Sequence, residues 1–196
     1  MLYGILIRML RVVDFIFYGF KKPDNSVVPN DEGLIICANH PSLRDPIFIA
    51  ESFDRHLTFM AKKELFKFKP FGALIRSLGA FPVDRQNGDI AAVKTAIKLL
   101  RANNALLIFP QGTRSLKEDN TSGKQGAVRL SILTGAKILP VGITEKNHIF
   151  KKARVTFGEP IDYSEYKKQH LEDAEYDRLT KELMDKIYAL SEGDTK

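Results

Sequence analysis

The sequence predicts an α/β domain: a mainly parallel or mixed sheet flanked by helices, preceded by one amphipathic helix. Three observations carry this. Short apolar runs alternate with stretches of helical periodicity, the pattern of strand–helix–strand units. The 196 residues, 44% apolar and 28% charged, suffice for one real core and not comfortably for two. The first 22 residues carry a helical apolar stripe interrupted by charge. This composition excludes wholesale disorder, a collagen-like fibre and a multi-span membrane protein. The net charge of +6 favours an anionic partner without choosing among nucleic acid, phosphorylated metabolite and lipid. The single cysteine, Cys37, excludes an internal disulfide and, within LIICAN, reads as a buried small hydrophobe in a reducing compartment.

Residues 1–22 lack the charged start and small-residue cleavage site of a secretory signal. Arg8, Arg11 and Asp14 interrupt the apolar run that a membrane span needs. At about 100° per residue those three share a third of the helix circumference. Leu2, Ile5, Leu6, Met9, Leu10, Val12, Val13, Ile16, Phe17 and Phe20 take the opposite half. Residues 1–22 therefore read as an amphipathic helix lying in a membrane interface with its apolar face down, the alternative being an ordinary helix packed on the core. Residues 23–33, with two prolines and several turn formers, read as a linker.

From residue 34 onward the strand candidates are 34–39, 57–61, 80–83, 105–110, 137–143 and 153–158. Residues 89–102 form a helix with Ile90, Val93, Ile97 and Leu100 as its core stripe. Residues 125–134 form another, ended by Gly135, and 171–191 a late amphipathic one. The polar stretch 111–126 is a long loop of the kind that often carries function.

Strand 34–39 runs into Asn39-His40, where α/β folds place active sites. Asp45 follows His40 by five positions. On a continuous helix the two would stand about 140° apart, but Pro41 and Pro46 break that helix. Asp45-Pro46 then reads as an N-cap with proline at the first helical position. The looped chain lets the carboxylate hold one ring nitrogen and leaves the other as a base. Spacing alone leaves open that Asp45 only caps and His40 only turns. The chain has no G-x-S-x-G, no Walker loop, no G-x-G-x-x-G and no metal-ligand spacing among His56, His148 and His170. A His-Asp pair without a protein nucleophile suits activation of a substrate hydroxyl against an already activated acyl group. Arg85 and Arg114 each follow a strand candidate, and guanidinium forks bind phosphate; paired surface arginines would look the same. Residues 62–76 interleave lysines with phenylalanines, a pattern shared by single-strand nucleic-acid binders, headgroup binders and core-facing helices.

Four blocks, N-H-P-S-L-R-D (39–45), G-A-F-P-V-D-R (79–85), F-P-Q-G-T-R-S (109–115) and I-L-P-V-G-I (138–143), stand in order. Together with M-A-K-K-E-L-F (60–66) and Lys124-Gln125-Gly126, they resemble the glycerolipid acyltransferases, most nearly their bacterial lysophosphatidate-acylating branch. The similarity runs from about residue 33 to 160. It implies that 34–196 is a catalytic domain, with His40 as general base and Asp45 as its orienter. It implies that Arg85 and Arg114 hold the acceptor phosphate, with Gln111, Gly112 and Thr113 beside them, and that Pro140 shapes the acyl-donor side. The implied reaction moves an acyl group from acyl-CoA or acyl-carrier protein to the sn-2 hydroxyl of a lysophospholipid. The product is phosphatidic acid. The resemblance implies no metal and no bound cofactor, and a place on the cytoplasmic face of the cell membrane; dispersed charge without a recognised motif argues against a nucleic-acid partner. One position departs from the family: Gln111 replaces its usual Glu, keeping shape and hydrogen bonding but not charge. The alternatives are another lysolipid acceptor, or a lipid-holding module without turnover.

Overall fold

The structure is a computed structural model that describes residues 2–84, 89–112, 123–144 and 153–192. After helix α1 (Leu2–Tyr18) the described chain builds a six-stranded sheet. The strands are β1 (Leu34–Ala38), β2 (Leu57–Lys62), β3 (Ala80–Val83), β4 (Ala105–Ile108), β5 (Lys137–Ile143) and β6 (Val155–Phe157). Their spatial order is β3-β2-β4-β1-β5-β6, with β6 alone antiparallel. The helices are α2 (Asp45–Ser52), α3 (Lys69–Ser77), α4 (Ile90–Arg101), α5 (Gly126–Thr134) and α6 (Asp173–Glu192). The predicted mainly parallel sheet flanked by helices is thus present, and each strand candidate carries a strand.

Every residue of β1 is buried, because the strand is central and covered on both faces. Leu34, Ile36 and Ala38 pack with Phe48 and Ile49 of α2, and with Phe20 and Val28. Ile35 and Cys37 face the other way, toward α4, α5 and α6. Burial of Cys37 pushes its thiol pKa up, as suits a structural side chain. Residues 23–33 hold a turn and bends with no regular element, and Val28 among them reaches the core.

One helix stripe differs from the periodic reading. In α4 the buried residues are Ala92, Ala96 and Leu100, while Ile90 and Val93 are exposed. The small alanine face lets α4 lie close to the sheet. A Cβ on Gly33 would already stand 2.2 Å from the carbonyl oxygen of Leu100.

In α1, Asp14 is fully buried, whereas Ile5, Met9, Val12, Val13, Phe15, Ile16 and Phe17 are exposed. The reason lies in the partners. Arg44 Nε donates to Asp14 Oδ1 at 2.9 Å, and Nη2 of the same guanidinium pairs with that oxygen. Arg11 Nη2 donates to the Glu51 carbonyl at 2.6 Å. The Glu51 carboxyl and Asp14 Oδ2 are buried without a hydrogen-bond partner. Burial, then the Asp14 charge, raise the Glu51 pKa to about 8. A neutral Glu51 can donate to Asp14, and that proton partners both orphaned carboxyls.

Candidate active site

Parallel strands deliver their carboxyl ends to one edge, and the residues after β1 and β4 meet there. The position of the loop after β1 is set by Asn39. Its amide donates to the Ile143 carbonyl at 2.8 Å and accepts the Ile143 N–H at 2.7 Å, which ties the end of β1 to the end of β5. His40 follows directly. Its Nδ1 lies 2.8 Å from Asp45 Oδ2, and Asp45 is fully buried while the His40 side chain keeps 14% exposure. The same carboxylate oxygen accepts the Ser42 N–H at 2.6 Å. Asp45 therefore holds the loop and the ring together.

Asp45 is not the N-cap of α2. Arg44 occupies that position, its carbonyl accepting from Ile47 N and Phe48 N, and Asp45 is the first helical residue with Pro46 second. The physical reason is direction: the carboxylate points back to Ser42 and His40 rather than forward to the free N–H groups of the helix.

Phe109, just past β4, stacks on the His40 ring with centroids 4.0 Å apart and planes 16° apart. Two residues on, Gln111 is buried and bridges three segments. Its Oε1 accepts the His40 N–H at 3.0 Å, and its Nε2 donates to Tyr188 Oη of α6 at 2.5 Å. Tyr188 carried no signal in the sequence, since it lies 77 residues from Gln111 in an ordinary amphipathic helix.

Gly112 adopts φ +72, the left-handed region that suits glycine. A Cβ there would lie 2.8 Å from Lys124 Cε and 3.2 Å from its Nζ. The missing side chain thus admits a lysine to the loop beside Gln111. The loop is closed at that point by Lys124 N donating to the Pro110 carbonyl at 2.8 Å.

The structure brings His40, Asp45, Gln111 and Gly112 to one place. Pro140 sits further in, buried in β5 opposite Cys37, with its carbonyl accepting the Gly158 N–H at 2.9 Å. Two residues on, a Cβ at Gly142 would stand 2.3 Å from Ser191 N, so this glycine seats the end of α6. Arg85, Thr113 and Arg114 lie outside the described residues. Among the described residues no group of three or more His, Cys, Asp or Glu could hold a metal ion. An imidazole oriented by a carboxylate, stacked against an aromatic ring and left 14% exposed, can accept a proton from a hydroxyl brought to it.

Comparison with known proteins bears on this geometry. The family model described as Acyltransferase matches residues 20–144. The 1-acyl-sn-glycerol-3-phosphate acyltransferase of Streptococcus pneumoniae is 36% identical over 156 residues, 76% of this chain and 58% of that protein. The protein of the same description from Bacillus subtilis is 31% identical over 171 residues, 84% of this chain and 85% of its own. Among solved structures, the 1-acyl-sn-glycerophosphate (LPA) acyltransferase PlsC of Thermotoga maritima superposes with a TM-score of 0.71. It covers 99% of this chain and 83% of that one at 23% identity, a likeness of fold.

Proposed function

This chain belongs to the acyltransferase family, and on that premise we propose that it acylates the sn-2 hydroxyl of 1-acyl-sn-glycerol-3-phosphate. The donor is acyl-CoA or acyl-carrier protein, and the product is phosphatidic acid for phospholipid synthesis. The observation that carries this reading is the His40–Asp45 pair, with Nδ1 and Oδ2 2.8 Å apart at the carboxyl edge of the sheet.

Asp45 fixes the ring through Nδ1, so Nε2 receives the hydroxyl proton as the acceptor oxygen attacks the thioester carbonyl. The C–O bond forms, a tetrahedral oxyanion collapses, and the C–S bond breaks. The imidazolium returns its proton to the leaving thiolate. The thioester is already activated, so the step asks for no metal and no covalent enzyme intermediate. Arg85 and Arg114 hold the acceptor phosphate through charge-assisted bonds. Gln111 holds the backbone of the base through the His40 N–H.

The acceptor and product are lipids, which supports a place at the cytoplasmic surface of the cell membrane. The exposed apolar residues of α1 supply an interfacial face, while Asp14 and Arg11 are engaged on the inner side. Among the described residues no helix is long and apolar enough to cross a membrane.

The test is a product assay with lysophosphatidate and each donor in turn. Phosphatidic acid formed by the wild type and lost in His40→Ala is the expected result. Turnover only with an acceptor lacking the phosphate would assign another lysolipid. Lysophosphatidate binding without any product would leave a lipid-holding module.

A further inference from the structure

We propose that the outward face of residues 62–76 is a second docking surface for an anionic phospholipid bilayer, beside α1; this rests on the membrane-surface reading above. Ile75 packs α3 against Ala61 and Ala80, and Gly72 seats it close to the Phe66 backbone. Around that contact Leu65, Phe68, Phe71 and Leu74 are exposed, with Phe68 at 69%. Single exposed apolar side chains are ordinary, but four within ten residues form a patch that asks for a partner.

Charge says what kind. Residues 62–76 hold four lysines and one arginine against the single acid Glu64. Lys62 lies 3.9 Å from Glu64, Lys63 pairs with Asp84, and Arg76 stacks over the Phe66 ring at 4.7 Å. Lys67 and Lys69, either side of Phe68, are exposed and have no carboxylate partner among the described residues. Cations flanking an apolar tip match a surface with anionic headgroups above hydrocarbon. Bases would stack on the phenylalanines and gain little from Leu65 and Leu74, whereas hydrocarbon gains from all four.

Position agrees. β2 and β3 run parallel to β4 and β1, so the turn from Lys62 to Lys69 leaves the sheet at the same edge as His40 and Gln111. The chain then returns to Gly79, where a Cβ would stand 2.8 Å from His56 Cε1. The His56 ring lies 4.2 Å from that of Tyr3 in α1. Phe59 of β2 packs against both the α2 core and the α3 cluster, so α3 lies on the α2 side of the sheet. Two apolar faces on one side of the molecule would bring the edge that holds His40 to the leaflet containing the acceptor.

The experiment uses the full chain with phosphatidylcholine vesicles, with and without phosphatidylglycerol. The sequence contains no tryptophan, so Phe68→Trp is a single indole probe. Its emission should shift to the blue on anionic vesicles and be quenched by lipids brominated along the chain. Lys67→Glu with Lys69→Glu should raise the anionic lipid needed for half-binding by about tenfold or more, with an unchanged melting midpoint. An unshifted Phe68→Trp probe, with vesicle binding lost only in Val12→Lys plus Ile16→Lys, would overturn the α3 surface and leave the α1 reading standing. A wild type that binds no vesicle would remove both. Binding to single-stranded oligonucleotide that the lysine reversals abolish, with the probe unmoved by lipid, would replace the bilayer with nucleic acid.

Discussion

Gln111 accepts the backbone N–H of His40 across 71 residues of sequence, at 3.0 Å. The nitrogen of the same amide donates to Tyr188. In Gln111→Glu the carboxylate still accepts from His40, and the Tyr188 hydroxyl turns to donate. Both bonds survive, so the rate should change by less than about tenfold, or about 1.4 kcal/mol in the barrier. Tyr188→Phe leaves the Gln111 amide without its acceptor and should cost about 1–3 kcal/mol of stability. Turnover and melting of the three proteins side by side check this. An inert wild type switched on by Gln111→Glu would show that the charge is essential.

His40→Ala should lower turnover by at least roughly 10²-fold, the low end for a lost general base. Asp45→Asn should also be severe, because the amide oxygen can still accept from Ser42 N and the ring but carries no charge to orient and stabilise the imidazolium. Both proteins should remain folded, judged by circular dichroism. Near-normal turnover in folded His40→Ala would sink the mechanism.

Arg85→Ala and Arg114→Ala should each raise the acceptor KM more than the donor KM. A lost charge-assisted contact is worth about 1.5–3 kcal/mol. Steady-state kinetics with the two substrates varied independently decides it. A change confined to the donor KM would place these arginines on the other substrate.

Glu51 makes stability depend on pH. Burial, and then the Asp14 charge, hold its pKa up at about 8, against 4.5 when exposed. Between those values the native state keeps a proton that the unfolded chain gives up. The native state then binds more protons, so stability falls as pH rises. The contribution is fully present below about 4.5 and gone above about 8. Glu51→Gln, neutral throughout, should flatten the melting temperature between about pH 5 and pH 9 and raise it at the alkaline end. Parallel curves for the two proteins would refute the shared proton at Asp14.

Gly112→Ala must place a side chain at φ +72, where Lys124 already lies. The backbone part costs about 1–2 kcal/mol. Adding Lys124→Ala should recover the steric part and leave the backbone part, so the double variant should melt between Gly112→Ala and wild type. No recovery would mean that strain alone sets the loss.

The strands were legible because each is an apolar run bounded by turn formers, and both faces of β1 need apolar residues. Two prolines forbid the helix that would separate His40 and Asp45, which allowed the pair without deciding it; the resemblance of the N-H-P-S-L-R-D block singled it out. The α4 stripe misled because periodicity ranks leucine-like residues above alanine, while the face that α4 buries carries Ala92 and Ala96 beside Leu100. The inward turn of Asp14 was illegible for a different reason. Periodicity separates a polar arc from an apolar one, but Arg44 and Glu51, which receive the polar arc, are distant in sequence and adjacent only in the fold. Tyr188 was invisible on the same ground.

The Asp14–Arg44 pair also bears on how α1 could be altered without disturbing the site. Arg44 immediately precedes Asp45, so removing α1 would strip the carboxylate from a guanidinium next to the residue that orients His40. It would also take Arg11 from the Glu51 carbonyl. Cutting at residue 22 is therefore a change to the loop that carries His40 as much as to the exposed face of α1. That face is better altered by recolouring it at Met9, Val12 and Ile16 with polar side chains. That leaves the inner charges seated and the dyad as it stands.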